Sequence, residues 1–133
     1  MNARNFDGGH TPLYYAANYF DLARPADGKA VAETLICHGA EVNIQSGPIR
    51  GTPLHTAARR DNTAVGAVLL SAGADIEARD IKGETPLRRA LNCRQPGMIE
   101  LLLAHGANPD SPDRGGVTPR QVAKKRGLRI GGV

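Results

Sequence analysis

The side chains of this 133-residue chain that could act as nucleophile, base or soft metal ligand are few: four histidines, three serines and two cysteines. Ser46, Ser71 and Ser111 stand in no strained Gly-x-Ser-x-Gly turn of the kind that exposes a nucleophilic hydroxyl. Gly115-Gly116 and Gly131-Gly132 lack the rest of a phosphate-cradling loop. No Cys and His spacing resembles a zinc site. Cys37 and Cys93 read as buried or half-exposed small residues rather than nucleophiles. Two thiols so far apart in sequence are no disulfide framework and suit a reducing compartment. His10 has no partner nearby in sequence and is expected to be solvated. These residues point to no catalysis, no metal and no cofactor, and so to a protein that is not an enzyme.

What remains is charge and aromatic surface, which suit binding. Seventeen basic residues against thirteen acidic ones give a net charge of +4. Five of the basic residues (Arg120, Lys124, Lys125, Arg126 and Arg129) fall in the last 14 positions with no acid beside them. Without that tail the chain has twelve basic and thirteen acidic residues, so the basicity belongs to one end. The five aromatic residues, Phe6, Tyr14, Tyr15, Tyr19 and Phe20, lie in the first 20 positions. At 41% hydrophobic and 23% charged residues the chain falls in the globular range. A chain of this length buries roughly two-thirds of its unfolded surface, enough to fold without staples. No run of about 18 apolar residues is present to span a membrane, and Met1-Asn-Ala-Arg-Asn leads into no apolar signal segment. A cytoplasmic or otherwise intracellular location is expected.

The elements that would position these groups are set by a repeat. Thr-Pro recurs at Thr11-Pro12, Thr52-Pro53, Thr85-Pro86 and Thr118-Pro119, at intervals of 41, 33 and 33 residues. Gly-Ala recurs at Gly39-Ala40, Gly73-Ala74 and Gly106-Ala107, at intervals of 34 and 33. Threonine before proline is a helix start: its oxygen can accept from an unpaired N–H, and proline at the first helical position has no N–H to leave unpaired. An alanine-rich stretch follows (Ala16-Ala17, Ala57-Ala58, Ala90). Then comes a second helical segment with an apolar face: Val31, Leu35 and Ile36; Val65, Val68, Leu69 and Leu70; Met98, Ile99 and Leu101 to Leu103. Glycine ends that helix in the left-handed conformation, with His38 and His105 in the last turn. Turn formers such as Asp80-Ile-Lys-Gly83 and Asp113-Arg-Gly-Gly116 lead back to Thr-Pro. One helix pair cannot bury its apolar face alone, and stacking does it.

These residues resemble the ankyrin repeat, whose Thr-Pro-Leu-His-x-Ala-Ala pattern Thr52-Pro-Leu-His-Thr-Ala-Ala58 matches throughout. The resemblance implies an all-α solenoid of stacked helix-turn-helix pairs with projecting β-hairpin or turn fingers, in one domain over residues 1–133. Repeat 1 would cover about 7–43 with an insertion near 20–29, repeat 2 about 47–79, repeat 3 about 80–112, and a truncated repeat 4 about 113–133. The insertion is expected to lengthen the first helix and its following loop, either as a tolerated surface insertion or as a binding loop. The turn Ser46-Gly-Pro-Ile-Arg-Gly51 lacks the usual Asp, which predicts an altered tip with Ile49 exposed. Asp61 and Arg94 stand where the family has glycine. Asp tolerates the left-handed conformation and Arg less so, which predicts a different turn at Arg94. Arg120 and Lys124, at positions the family keeps apolar, read as a cap. The family's histidine, here His55, bonds the helix start locally.

The resemblance also implies a partner-binding concave side, built from the turns and the exposed side of the first helices. By position these are Tyr15, Tyr19, Arg59, Arg60, Arg79, Ile81, Lys82, Arg114, Lys125 and Arg126, with Glu84 as the one acid among them. Such a face would steer another protein of acidic character to a monomeric module, or it is a solvated charged face with no particular partner. Tyr15 and Tyr19 are either interface anchors or a shield for the first unit's end. The alternative reading is attachment to an anionic surface, nucleic acid or membrane, through Lys124, Lys125, Arg126 and Arg129; the short basic run without interleaved aromatics makes this the weaker reading. A spacer in a longer protein is the further alternative.

Overall fold

Each Thr-Pro pair opens a helix in the computed structural model of the chain, which describes residues 11–19 and 25–128. These inner helices are α1 (Pro12–Tyr19), α3 (Pro53–Arg60), α5 (Pro86–Asn92) and α7 (Pro119–Lys125). The hydroxyls of Thr11, Thr52, Thr85 and Thr118 accept from the N–H three residues on, at 3.3, 3.4, 3.4 and 3.2 Å. The outer helices are α2 (Pro25–Cys37), α4 (Thr63–Ser71) and α6 (Pro96–Ala104). Each ends alike: Gly39, Gly73 and Gly106 have φ of 92°, 93° and 86°. The following Ala40, Ala74 and Ala107 N–H groups then reach back to the carbonyls of Leu35, Leu69 and Leu102. A left-handed residue at this place lets the last carbonyls find donors, and glycine adopts it without strain.

Inner helices stack on inner helices and outer on outer, α1, α3, α5 and α7 in one row and α2, α4 and α6 in the other. The core runs between the rows. Leu13, Leu54 and Leu87 occupy the same place in successive units and are buried, with Ala17, Ala58 and Leu91 behind them and Val65, Leu69, Met98 and Leu102 opposite. Truncating one such leucine to alanine costs about 2–5 kcal/mol. Small residues set the spacing of the outer row, since a Cβ at Gly66 would meet Met98 Sδ at 2.9 Å.

Several expectations need correction. Val31 is exposed and Ala32 takes the buried place in α2, because the helix begins at Pro25 and turns its small residue inward. The described part of the first unit's excess lengthens α2, 13 residues against nine in α4 and α6, with Ala26 to Gly28 helical rather than looped. Residues 20–24, with Phe20 and Arg24, lie outside the described residues, as do Phe6, His10 and Arg129. The turn at Arg94 does not differ: Arg94 is left-handed at φ 52°, as Asp61 is at 54°. Gln95 N–H reaches Ala90 O as Asn62 N–H reaches Ala57 O, both at 2.9 Å. The Gln95 bond and the one from Arg94 N–H to Leu91 O hold arginine in a conformation that costs a non-glycine residue on the order of 1 kcal/mol. The fingers are turns, and one antiparallel bridge, Ser46 with Gly51, is the β pairing found among the described residues.

Candidate functional site

The fingers and inner helices together form the flank on which the predicted binding residues fall. Asp80 Oδ1 shapes the finger before α5, accepting from Lys82 N at 2.9 Å and Glu84 N at 3.0 Å. Asp113 Oδ1 does the same before α7, from Gly115 N at 2.8 Å and Val117 N at 3.0 Å. The finger before α3 has no aspartate, and Arg50 closes it instead, left-handed at φ 60° with its N–H on Gly47 O. Ile49 at its tip is 40% exposed. Main-chain bonds join one finger to the next: Ile81 N donates to Ile49 O at 2.7 Å, and Arg114 N to Lys82 O at 3.2 Å.

Behind this lip lies a cleft of about 340 Å³, lined by Tyr14, Pro48, Ile49, Thr56, Arg59 and Arg89 among others. Its apolar and aromatic wall stands beside the guanidinium groups of Arg59 and of Arg89, the latter already paired with Asp80. Tyr14 meets Tyr15 edge to face, ring centroids 5.2 Å apart, and both are half-buried.

Of the predicted positions, Arg59, Arg60, Arg79, Ile81, Lys82, Arg114, Lys125 and Arg126 are exposed. Tyr19 closes α1, and its side chain lies outside the described residues. The structure brings Arg59 to the 340 Å³ cleft, and Arg79, Ile81 and Arg114 to a second one. Tyr15, Arg60, Lys82, Lys125 and Arg126 line neither. Three of the arginines also stitch units together. Arg59 Nη2 donates to Asn18 Oδ1 at 2.6 Å, and Arg60 Nε to Asn18 O at 3.0 Å. Arg79 reaches Pro112 O at 2.7 Å and Ser111 Oγ at 2.8 Å. Their partners are neutral oxygens, so the charge stays uncompensated.

Glu84 does not present an acid to the groove, as expected from its turn position; it is buried under a network that sequence reasoning missed. Arg88 pairs with Asp113 at 2.8 Å and Glu84 at 3.5 Å. Arg89 pairs with Asp80 at 2.8 Å and Glu84 at 3.9 Å. Hydrogen bonds from Val117 and Gly115 N–H groups and from Arg88 hold the Asp113 carboxyl below the usual carboxylate range. The signal was available: an aspartate opens both the finger before α5 and the one before α7, and two arginines stand three and four residues after Thr85.

His55 is a structural group, but its role reaches beyond the local helix start. Its Nδ1 accepts from Thr52 N at 3.1 Å, so Nε2 carries the proton and donates to Glu84 O at 2.7 Å, in the next unit. Burial pushes its pKa below the ordinary 6.5. Cys37 and Cys93 are exposed thiols, not buried ones, because each sits at the solvent end of its helix. Arg120 pairs with Asp110 at 2.8 Å, which keeps that carboxyl's pKa low, and Lys124 is exposed. Among the described residues no group of three His, Cys, Asp or Glu could hold a metal, and no helix is long and apolar enough to cross a membrane.

Stacked helix pairs joined by projecting turns define an all-α repeat solenoid. A family model described as Ankyrin repeats (3 copies) matches residues 20–113, and the chain belongs to that family. It is similar to an ankyrin repeat-containing protein of Treponema pallidum (strain Nichols), 37% identical over 94 residues, covering 71% of this chain and 32% of that protein. It is also similar to neurogenic locus notch homolog protein 1 of Mus musculus, 33% identical over 132 residues, covering 94% of this chain and 5% of that protein. Neurogenic locus Notch protein of Drosophila melanogaster is 33% identical over 126 residues, covering 88% and 5%. The chain thus spans about a third of the treponemal relative and a twentieth of the notch proteins. Ankyrin repeats are generally protein–protein interaction modules, and the family is generally non-enzymatic.

Proposed function

We propose that this chain is a protein-interaction module that takes an acidic or mixed acidic–apolar segment of another protein along its fingered flank. One observation carries the reading. Among the described residues, Arg59, Arg60, Arg79, Lys82, Arg114, Lys125 and Arg126 take part in no salt bridge, while Asp80, Glu84 and Asp113 on the same flank are taken up by Arg88 and Arg89. The flank therefore holds cations without counter-charge, which draws an acidic segment in and orients it. The cleft between Tyr14 and Ile49 receives an apolar side chain of that segment. The module acts as a monomer inside the cell, where its two exposed cysteines stay reduced.

The test is capture of partners by the wild type beside a variant carrying Arg59→Glu and Arg60→Glu, with far-ultraviolet circular dichroism to confirm folding. The variant is expected to lose affinity for the captured segment by at least about tenfold, because like charges across an interface repel. Equal affinity in both proteins removes the groove from the account. Duplex DNA and anionic vesicles are run beside the segment, and tighter, salt-sensitive binding to either would move the function to the basic end at Lys124 to Arg126.

A further inference from the structure

The second cleft on this flank, about 440 Å³, is walled by inter-repeat segments alone: Gln45, Arg50, Arg79, Asp80, Ile81 and Arg114, with no helix residue. Its backbone is tightly closed, since a Cβ on Gly83 would meet Arg114 N at 2.8 Å. Three guanidinium-bearing residues share it. Asp80, the one acid in the wall, has a fully buried side chain whose oxygens are taken by Lys82 N, Glu84 N and Arg89. Arg79 is held in place by Ser111 Oγ and Pro112 O, two neutral acceptors that leave its charge intact. The side chains of Arg50 and Arg114 have no partner among the described residues and enter no salt bridge.

Three arginines gathered at one cleft, whose one carboxylate, Asp80, is already paired with Arg89, repel one another, and a dianion relieves that repulsion. Guanidinium groups meet phosphate oxygens in paired, parallel bonds, so three of them suit a phosphate monoester better than a single carboxylate. The cleft adjoins the groove across the finger lip: Ile81 lines it, Ile49 lines the groove cleft, and the two are bonded main chain to main chain. We propose that the cleft between Arg50, Arg79 and Arg114 binds the phosphoryl group of a phosphorylated side chain on a partner protein. That a protein segment brings the phosphate rests on the groove reading above; the anion site itself does not.

The test is calorimetric titration of inorganic phosphate, O-phosphoserine and adenosine monophosphate at matched ionic strength. The wild type is expected to bind phosphate and phosphoserine, and Arg50→Gln with Arg114→Gln to weaken both at least about tenfold. The unfolding midpoint of that variant stays at the wild-type value, because neither side chain holds any other part of the fold. The Arg59→Glu, Arg60→Glu protein keeps its phosphate affinity within about twofold, so failure of the groove reading shows separately. No heat with millimolar phosphate, or undiminished binding by the Gln variant, overturns the site. Adenosine monophosphate binding about tenfold tighter than phosphoserine overturns the protein-borne source and assigns the cleft to a nucleotide.

Discussion

Arg88 and Arg89 in α5 and Arg59 and Arg60 in α3 lie on the same row of inner helices, yet they live in different electrostatic worlds. The α5 pair sits three and four residues after its threonine, under the finger, with side chains 14% and 15% exposed and acids within reach. The α3 pair sits seven and eight residues after its threonine, at the open end of the helix, exposed and bonded to the amide and carbonyl oxygens of Asn18. Residue type is the same in both. Where along the helix an arginine falls decides whether it is buried among acids or left exposed on neutral oxygens.

Substitutions that exchange these conditions test the contrast, beginning with the strongest. Asp80→Ala leaves Arg89 short of its acid and two finger N–H groups unpaired, and is expected to cost roughly 3 kcal/mol in urea unfolding. A loss no larger than that of an exposed pair would mean the α5 network is surface decoration.

The second test sits at the seam between the two regions, where His55 of α3 donates to Glu84 O beside α5. Its folded pKa is lowered, so the unfolded chain binds the proton more readily. Stability is therefore complete above pH 6.5 or so and falls on acidification below it, by up to about 1.4 kcal/mol per pH unit. Asp110 and Asp113, with lowered carboxyl pKa values, lose their contribution only at more acid pH. Gln121 fills the same position in the first turn of α7, accepting from Thr118 N at 2.9 Å. His55→Gln should accordingly flatten the profile between about pH 6.5 and about pH 5. A profile unchanged by that substitution would assign the acid sensitivity elsewhere.

Smaller effects sharpen the picture. Arg94→Gly removes a left-handed arginine and should raise stability by about 0.5–1 kcal/mol in the same assay, with a loss showing that Arg94 is held by something besides its backbone. Arg59→Ala, though it breaks a 2.6 Å bond to Asn18, should cost under about 1 kcal/mol, since the side chain is exposed.

The helix pairs were legible because their signals are local. A threonine caps within three residues and a glycine turns within one, so position in the sequence is position in the element. The ion network was not legible for the opposite reason. Arg88 and Asp113 are 25 residues apart, and only the stacking of units brings them to 2.8 Å. Glu84 looked like a groove acid because its turn was read without the helix above it. The turn at Arg94 was misjudged from intrinsic preference, where two local backbone bonds, to Leu91 O and Ala90 O, prevail. The cations named from sequence spacing are exposed, but spacing could not tell that Arg79, Arg114 and Arg50 meet at one cleft.

The lip of the groove is fastened by peptide groups, from Ile81 to Ile49 and from Arg114 to Lys82. Side chains along it are thereby relieved of architectural duty. Ile49, Ile81, Lys82 and Arg114 can be exchanged for other non-proline residues while the pitch of the stack is kept, with stability shifting by no more than about 0.5 kcal/mol. The strip to which recognition is proposed can be rewritten, unit by unit, over a frame that stays the same.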